Sequence, residues 1–363
     1  DRREIDDLAF IVLLGIDHLE EGEGYQVTAE LPKPQQLARS AEGGRSPGKA
    51  SLLARARGAT ISAALAALMA DLPRYVFLGH IKALVLGEAV AREGVKPVLD
   101  FFARERDFRL RTLLLVTPGR AEEVLALPTD LENWLGTAVV KQFNQRQEVS
   151  TIPAKRFYEF MEELSEPGVE PYTAGLAASK EAGSGTFSLE SVALFQGDQL
   201  VGWLDREESR NFLWILGKSQ RSSLLVSDME TGGRATLKIL RLVRDLKVET
   251  GPGRLVVNLK LRAVARLDEL QGTEKLDLPL VERMATSAEG VMRDNLNKTF
   301  QRVQREFGSD VFGLGQELRR SHPDQWKKLA DRWPQVFREA DFRPEVKVII
   351  LGAGLSIDPV KSR

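Results

Sequence analysis

Residues 235–249 and 254–270 alternate between apolar and polar side chains on either side of the turn sequence TGPGR. The second segment has an apolar residue at every other position: Leu255, Val257, Leu259, Leu261, Ala263 and Ala265. A period of two is typical of a β-strand that has one buried face. The sequence therefore predicts a long two-stranded ribbon, and the apolar face of such a ribbon needs a second layer to cover it.

A long amphipathic helix follows the ribbon in the sequence and supplies that layer. Apolar residues recur there at spacings of three and four: Val281, Met284, Ala288, Val291, Met292, Leu296, Phe300, Val303 and Phe307. This spacing places one apolar stripe on a helix over residues 278–307, and we expect the stripe to face the ribbon. Gly308 is the predicted end of the helix, and residues 345–352 (EVKVIILG) form a predicted final strand. Ribbon, helix and strand define a predicted C-terminal α+β domain, residues 236–363.

The N-terminal half alternates between strand and helix patterns, so the predicted fold class is α+β with a mixed α/β N-terminal region. We expect a first domain over residues 1–182 and a small middle domain over residues 183–235. The polar, Gly/Ser-rich residues 38–58 predict an exposed excursion between two strands. Residues 75–87 (YVFLGHIKALVLG) predict one buried strand, in which His80 is expected to be a hydrogen-bonded core residue.

The composition excludes several kinds of chemistry. The chain of 363 residues has no cysteine, three histidines that lie far apart in the sequence and a net charge of −1. Thiolate metal sites and cysteine nucleophiles are therefore excluded, and no overall positive charge recruits nucleic acid. No P-loop, HExxH or G-x-S-x-G motif is present. The sequence therefore nominates no catalytic, cofactor-binding or metal-binding residue.

The predicted ribbon is rich in basic residues. Residues 234–266 contain nine of them against two acidic ones, Asp245 and Glu249. Alternation along a strand gathers several of these side chains on one face, where they form either a solvated surface or a contact for lipid headgroups or an acidic partner. The candidate contact residues are Arg241, Arg244, Lys247, Lys260 and Arg262.

The chain begins with a charged stretch and a short apolar run, DRREIDDLAFIVLLGID. The run of residues 8–16 is shorter than the roughly 18 residues of a spanning helix, and its flanks do not fit a signal peptide. We therefore expect this run to be the first buried element of the fold. The first residue is Asp1 rather than Met, from which we expect that a segment upstream of it has been removed.

Three stretches resemble, in the same order, the C subunit of bacterial spore germinant receptors, the spore germination lipoprotein family of the Ger(x)C type. The first is the start of the chain, DRREIDDLAF…GID followed by GYQVTAELPKP. The second is LFQGDQLVGWLDREESRNFLWILGK (194–218), which looks like the family's hairpin and Trp-containing helix, with Arg210 or Asn211 where the family usually has Gly. The third, residues 312–354, resembles the family's ending of short helices and a last strand.

The resemblance implies a non-enzymatic subunit of a nutrient germinant receptor with a three-domain mixed α/β fold. It implies an N-terminal lipid on a Cys just upstream of Asp1, a place on the outer face of the spore inner membrane, and membrane-embedded A and B type subunits as partners. A second hypothesis is an extracytoplasmic solute-binding protein that holds the nutrient itself. Such a protein needs a deep cleft with convergent polar groups between two lobes.

Overall fold

The computed structural model describes residues 8–19, 24–33, 51–129, 132–149, 154–179, 187–218, 222–227, 233–251, 254–271 and 276–351. Within the chain the internal contacts define two compact units. The first consists of Asp1–Gln145, Pro153–Glu166 and Glu170–Trp203, and the second of Arg146–Ile152, Pro167–Val169 and Leu204–Arg363. The mixed α+β fold class predicted from the sequence is confirmed.

The N-terminal unit contains strands β1–β11 and helices α1–α6. The strands are β1 Leu8–Phe10, β2 Leu13–His18, β3 Tyr25–Pro32, β4 Ser51–Gly58, β5 Tyr75–Phe77, β6 Ala83–Gly87, β7 Leu113–Thr117, β8 Lys155–Arg156, β9 Tyr172–Ala178, β10 Phe187–Gln196 and β11 Gln199–Leu204. The helices are α1 Ile61–Asp71, α2 Glu88–Glu93, α3 Lys96–Arg104, α4 Ala121–Leu125, α5 Leu135–Val149 and α6 Phe157–Ser165.

The large sheet of the N-terminal unit is built around four parallel strands, β9, β7, β6 and β2. Its described strands run in the order β11-β10-β9-β7-β6-β2-β3-β4, with β8 beside β7, while β1 and β5 form a separate parallel pair. Nearly every residue of β2, β6 and β7 is buried, as expected for parallel strands covered on both faces. The apolar run at residues 8–16 lies in β1 and β2 and is buried from Ile11 onward, which confirms that it belongs to the fold.

Two buried carboxylates fix the helices that follow the parallel strands. Asp17 accepts hydrogen bonds from the backbone N–H groups of Ala121 (2.7 Å) and Glu122 (3.0 Å) at the start of α4. Glu30 accepts from the N–H groups of Leu135 and Gly136, both at 2.8 Å, at the start of α5. Each carboxylate satisfies donors that a helix leaves without an internal partner. The two buried carboxylates therefore have a structural role as caps of these helices.

The structure corrects two sequence predictions in this unit. Residues 51–58 of the expected excursion form β4, which pairs with β3 along its whole length; residues 34–50 lie outside the described part of the chain. The expected single strand 75–87 is interrupted by a 3₁₀ turn at Leu78–His80. His80 is exposed there, with its ring against those of Phe10 and Phe77, so the expectation of a core histidine was wrong.

The C-terminal unit contains strands β12–β15 and helices α7–α11. The strands are β12 Ser222–Ser227, β13 Arg234–Thr250, β14 Leu255–Gln271 and β15 Asp341–Leu351. The helices are α7 Arg206–Leu216, α8 Leu278–Arg302, α9 Leu314–Ser321, α10 Pro323–Leu329 and α11 Trp333–Arg338. The described strands form one sheet in the order β12-β13-β14-β15, in which β15 is parallel to β14 and the other pairs are antiparallel.

The residues of the expected middle domain, 183–235, divide between the two units. Strands β10 and β11 form the predicted hairpin, with Gly197 at φ 57° in its turn, and β10 pairs with β9 in the large sheet. Helix α7 and strand β12 belong to the C-terminal unit. The three-domain division stays a prediction.

The ribbon and the long helix form as the sequence patterns predict. Every alternate residue of β14 from Leu255 to Ala265 is buried. Helix α8 buries most of the predicted stripe against the same sheet, with contacts to β12 and β15 and with the ring of Phe300 stacked on Phe342; Val291 is only partly buried. The helix continues as a π-helical turn over Val303–Phe307 and ends at Gly308, at φ 63°.

The short helices after α8 are held by two buried polar side chains. Asp310 accepts hydrogen bonds from the N–H groups of Leu314 and Gly315 and from the indole Nε1 of Trp333, at 2.9–3.0 Å. The side-chain amide of Gln304 donates to the carbonyl groups of Phe337 and Ala340, both at 2.8 Å. Together they tie α9 and α11 to the end of the long helix.

Side chains from the helices occupy backbone groups at both edges of the four-stranded sheet. On β12, the carbonyl of Ser227 accepts from the hydroxyl of Ser287 at 2.9 Å, and the carbonyl of Ser223 accepts from Arg210 at 3.3 Å. On β15, the N–H of Val348 donates to the carboxylate of Glu289 at 3.0 Å. Edge strands left open are sites for pairing with other chains.

Candidate interaction surface

The four-stranded sheet of the C-terminal unit has one buried face and one exposed face. On β14 the buried residues alternate with exposed or partly exposed ones, among them Lys260, Arg262 and Arg266. On β15, Val346 and Val348 are buried while Lys347 and Ile349 between and beside them are exposed. We call the exposed side the outer face of the sheet.

The strand register shows which side chains share the outer face. Residues that are directly opposite in neighbouring strands point to the same side of a sheet. Three consecutive rows across β13, β14 and β15 are Val243–Arg262–Lys347, Arg241–Val264–Ile349 and Lys238–Arg266–Leu351. We call these nine residues the basic–aliphatic patch.

A β-bulge in β13 brings Lys238 and Arg241 to the same face. The register shifts between Ile239 and Arg241, so Leu240 is an extra residue without a partner in β14. A bulge changes the side to which the following residues point. Lys238 and Arg241 are three residues apart and would point to opposite sides of an unbroken strand, but the bulge places both in the basic–aliphatic patch.

The patch combines exposed aliphatic side chains with cations. Val243, Ile349 and Leu351 are 46%, 52% and 49% exposed. Arg266 is paired with Asp268 at 2.8 Å, and Lys347 with Glu289 at 3.0 Å. Lys238, Arg241 and Arg262 form no ion pair with any residue in the described ranges. Among the described residues, the patch therefore presents three unpaired cations beside apolar surface.

The remainder of the outer face, towards the turn between β13 and β14, is balanced in charge. Lys260 pairs with Glu345 at 3.3 Å, and Arg343 pairs with Asp341 at 2.7 Å. Lys247 lies in the row Lys247–Asn258–Arg343. Lys247 and Lys260 are thus on the outer face as expected, but outside the basic–aliphatic patch.

Arg244 lies on the opposite face from the other candidate contact residues. It pairs with the buried Leu261 in the register and packs its side chain against Gly217 at the end of α7. Burial lowers the pKa of Arg244, and the nearby carboxylates of Glu317 and Asp245 oppose this effect. Simple alternation separates position 244 from positions 241 and 247, so this placement could have been found in the sequence.

Other candidate sites in the described residues are weak. One recess of about 390 Å³ is lined by Asp100, Phe101, Arg104 and Glu105, which come from α3 and the residue after it. No group of three or more metal-ligating side chains is brought together within the described part of the chain. Among the helices described, none has the length and apolar character needed to cross a membrane.

Comparison with known families identifies the class of protein. Residues 1–177 match the model of the spore germination protein N-terminal domain. Residues 190–354 match the model described as spore germination B3/GerAC like, C-terminal. The chain belongs to the family of spore germination proteins of the Ger(x)C type, as the resemblance predicts.

Several proteins of Bacillus subtilis (strain 168) are similar to this chain over most of its length. The putative spore germination protein YfkR is 25% identical over 351 residues, which cover 94% of this chain and 89% of the relative. Spore germination protein KC is 22% identical over 99% of this chain and 93% of its own length. Spore germination protein B3 is 21% identical, with 98% and 93% covered.

A solved structure has the same fold. The crystal structure of the GerBC protein superposes with a TM-score of 0.60, covering 93% of this chain and 97% of that chain, at 21% sequence identity. At this identity the match supports the arrangement of the chain, and it carries no assignment of individual residues.

Proposed function

We propose that this chain is the C-type subunit of a nutrient germinant receptor and acts in spore germination by binding other subunits rather than by catalysis. The observation that carries the proposal is the match of two consecutive family models, which together extend from residue 1 to residue 354. The described residues support it in one further respect, since their buried carboxylates Asp17, Glu30 and Asp310 are used as structural acceptors.

The first test of this function is genetic. Spores of the source organism that lack the gene should no longer germinate with at least one nutrient, measured as the fall in optical density of a spore suspension. Germination triggered without nutrients is the control and should be unchanged. Wild-type germination by the deletion strain with every nutrient that triggers the parent would contradict the proposal.

The partners and the anchor are part of the same proposal. We propose that membrane-embedded A and B type subunits bind this chain, and that a lipid on a Cys upstream of Asp1 holds it on the outer face of the spore inner membrane. A single acyl chain binds a membrane only marginally, so binding to the partner subunits adds to the anchorage. Affinity-tagged full-length protein from spore membranes should carry both subunits with it, and replacing that Cys by Ala should remove both the lipid label and membrane retention.

The solute-binding hypothesis remains the alternative. It needs polar groups that converge on a ligand from different elements. Titration calorimetry with amino acids and sugars is its direct test. A saturable heat of binding by the purified chain would favour this alternative over a role limited to binding other subunits.

A further inference from the structure

We propose that the basic–aliphatic patch of the C-terminal sheet binds the surface of an anionic phospholipid bilayer. The inference goes beyond the proposed function and does not depend on it, because it concerns the chain alone and requires neither a lipid anchor nor a partner subunit. It rests on the charge, the shape and the residue types of this part of the outer face.

The charge of the patch fits an anionic surface. Its three rows contain five cations and no carboxylate, and Lys238, Arg241 and Arg262 have no ion-pair partner among the described residues. Near an anionic membrane each basic residue raises the partition coefficient about fivefold. The same charge disfavours a second copy of this chain as the occupant, since two such patches repel one another.

The apolar side chains fit the boundary between headgroups and acyl chains. Val243 and Ile349 alternate with Arg241 and Arg262 on a face formed by three adjacent strands. A broad face of this kind can bring several side chains to a bilayer together. Aliphatic groups then enter the interface while the long basic side chains extend to the phosphates.

The lack of aromatic residues in the patch favours lipid over a protein partner. The energetically dominant residues of protein–protein interfaces are most often Trp, Tyr and Arg, and Lys and Val are poorly represented among them. The patch contains Arg, Lys, Val, Ile and Leu, and its three rows contain no aromatic residue. An acidic protein surface remains the competing occupant, and the experiment separates the two.

Vesicle co-sedimentation of the purified chain tests the proposal. The probes are vesicles of phosphatidylcholine alone and of phosphatidylcholine mixed with phosphatidylglycerol, each over a series of NaCl concentrations. The first variant is Arg241→Glu/Arg262→Glu, and the second is Val243→Ser/Ile349→Ser. The control is Lys328→Glu/Arg332→Glu, which changes the net charge equally at two exposed residues outside the patch that have no ion pair among the described residues. Thermal unfolding establishes that each variant is folded.

We expect the wild-type chain to bind only the anionic vesicles and to be released by salt. The partition coefficient should fall about twentyfold or more in the charge variant and by a smaller factor in the aliphatic variant, while the control retains most of the binding. Equal binding to both vesicle types, or equal loss in variant and control, would overturn the proposal.

The protein alternative gives a different result. If the charge variant binds anionic vesicles as the wild type does but no longer co-purifies with spore membrane proteins, the patch is a protein contact and the lipid proposal is wrong. Failure of lipid binding also differs from failure of the proposed function. A chain that restores nutrient germination to deletion spores without binding vesicles overturns this inference and leaves the receptor role standing.

Discussion

Asp310 connects two helices of the C-terminal unit, α9 and α11, through one carboxylate. It accepts N–H groups from two residues at the start of α9 and from the indole of Trp333. Asp310 is 3% exposed, so water could not replace its carboxylate as the acceptor of these three hydrogen bonds. A buried polar group that loses its hydrogen-bond partner destabilises the folded state by the full free energy of its desolvation.

The first prediction concerns this carboxylate. Asp310→Ala should lower the free energy of unfolding by about 2–4 kcal/mol, because three buried donors lose their acceptor. Urea denaturation followed by Trp fluorescence measures the change. Asp324→Ala is the control: its side chain is 91% exposed and its nearest ion pair is at 3.6 Å, so the change should be within about 0.5 kcal/mol. Equal effects of the two substitutions would contradict the role of Asp310.

The second prediction concerns the pH dependence that Asp17 contributes. Burial raises the pKa of Asp17, although hydrogen bonds from Ala121 and Glu122 and the charge of Arg120 oppose it. Because the folded-state pKa is above the unfolded-state value, the contribution of this group to stability is full below the unfolded-state pKa and declines as pH rises through the folded-state pKa.

Asp17→Asn removes this titration and keeps a side-chain oxygen as acceptor. The stability of the variant relative to the wild type should therefore increase as the pH is raised from about 4 to 7. Urea denaturation at a series of pH values measures it. A difference that is constant across this range would show that Asp17 does not titrate as described.

There is a physical reason why these features of single residues could not be predicted from the sequence. Asp17 and Glu30 each cap a helix that begins about a hundred residues later, and no local pattern marks such a pairing. The 3₁₀ turn at Leu78–His80 interrupts what reads in the sequence as a continuous apolar strand. Arg244 differs, since its even position already separated it from Arg241 and Lys247.

At the scale of elements, patterns repeated over many residues were sufficient. The period of two in β14 predicted its buried face, and spacings of three and four predicted the buried stripe of α8. The bulge at Leu240 was not predicted, although the apolar positions of β13 change there from odd numbers (Leu237, Ile239) to even ones (Leu242, Leu246). It determines that Lys238 belongs to the outer face, so the composition of the patch depended on knowing the register.

The third prediction compares two glycines of the long helical segment. Gly290 lies within α8 beside open space, where an added methyl group would meet no neighbouring atom within 4 Å, so Gly290→Ala should raise stability by about 0.5–1 kcal/mol. Gly308 ends the segment at φ 63° against the guanidinium of Arg338, so Gly308→Ala should lower stability by about 1–2 kcal/mol. Thermal unfolding of both variants measures the contrast, and effects of the same sign would contradict it.

At the scale of the whole molecule, the division into two units does not coincide with a single cut in the sequence. The N-terminal unit lies within residues 1–203, whereas the C-terminal unit also includes residues 146–152 and 167–169 from that part of the chain. There the carbonyl of Gly168 accepts from the N–H of Gln316 at 2.8 Å, and its Cα lies against Gly315 and Trp326. A cut after residue 203 therefore removes contacts from the C-terminal unit.

The fourth prediction follows from this division. A fragment of residues 1–203 should unfold in one cooperative thermal transition, since it contains the core and the large sheet except for Leu204, the last residue of β11. A fragment of residues 204–363 should unfold at a lower temperature than the C-terminal unit does within the full chain. Circular dichroism of both fragments and of the full chain measures this. Absence of a cooperative transition in the first fragment would contradict the division.

The bonds made by Arg210, Ser287 and Glu289 at the edges of the four-stranded sheet limit how this unit can associate. Each edge has backbone groups already occupied by side chains, so an incoming strand could not extend the ladder there without first displacing them. Recruitment by strand addition is therefore disfavoured. An association that used this sheet would then have to form on its outer face, where its strength would depend on the side chains, on the ionic strength and on the charge of the binding surface.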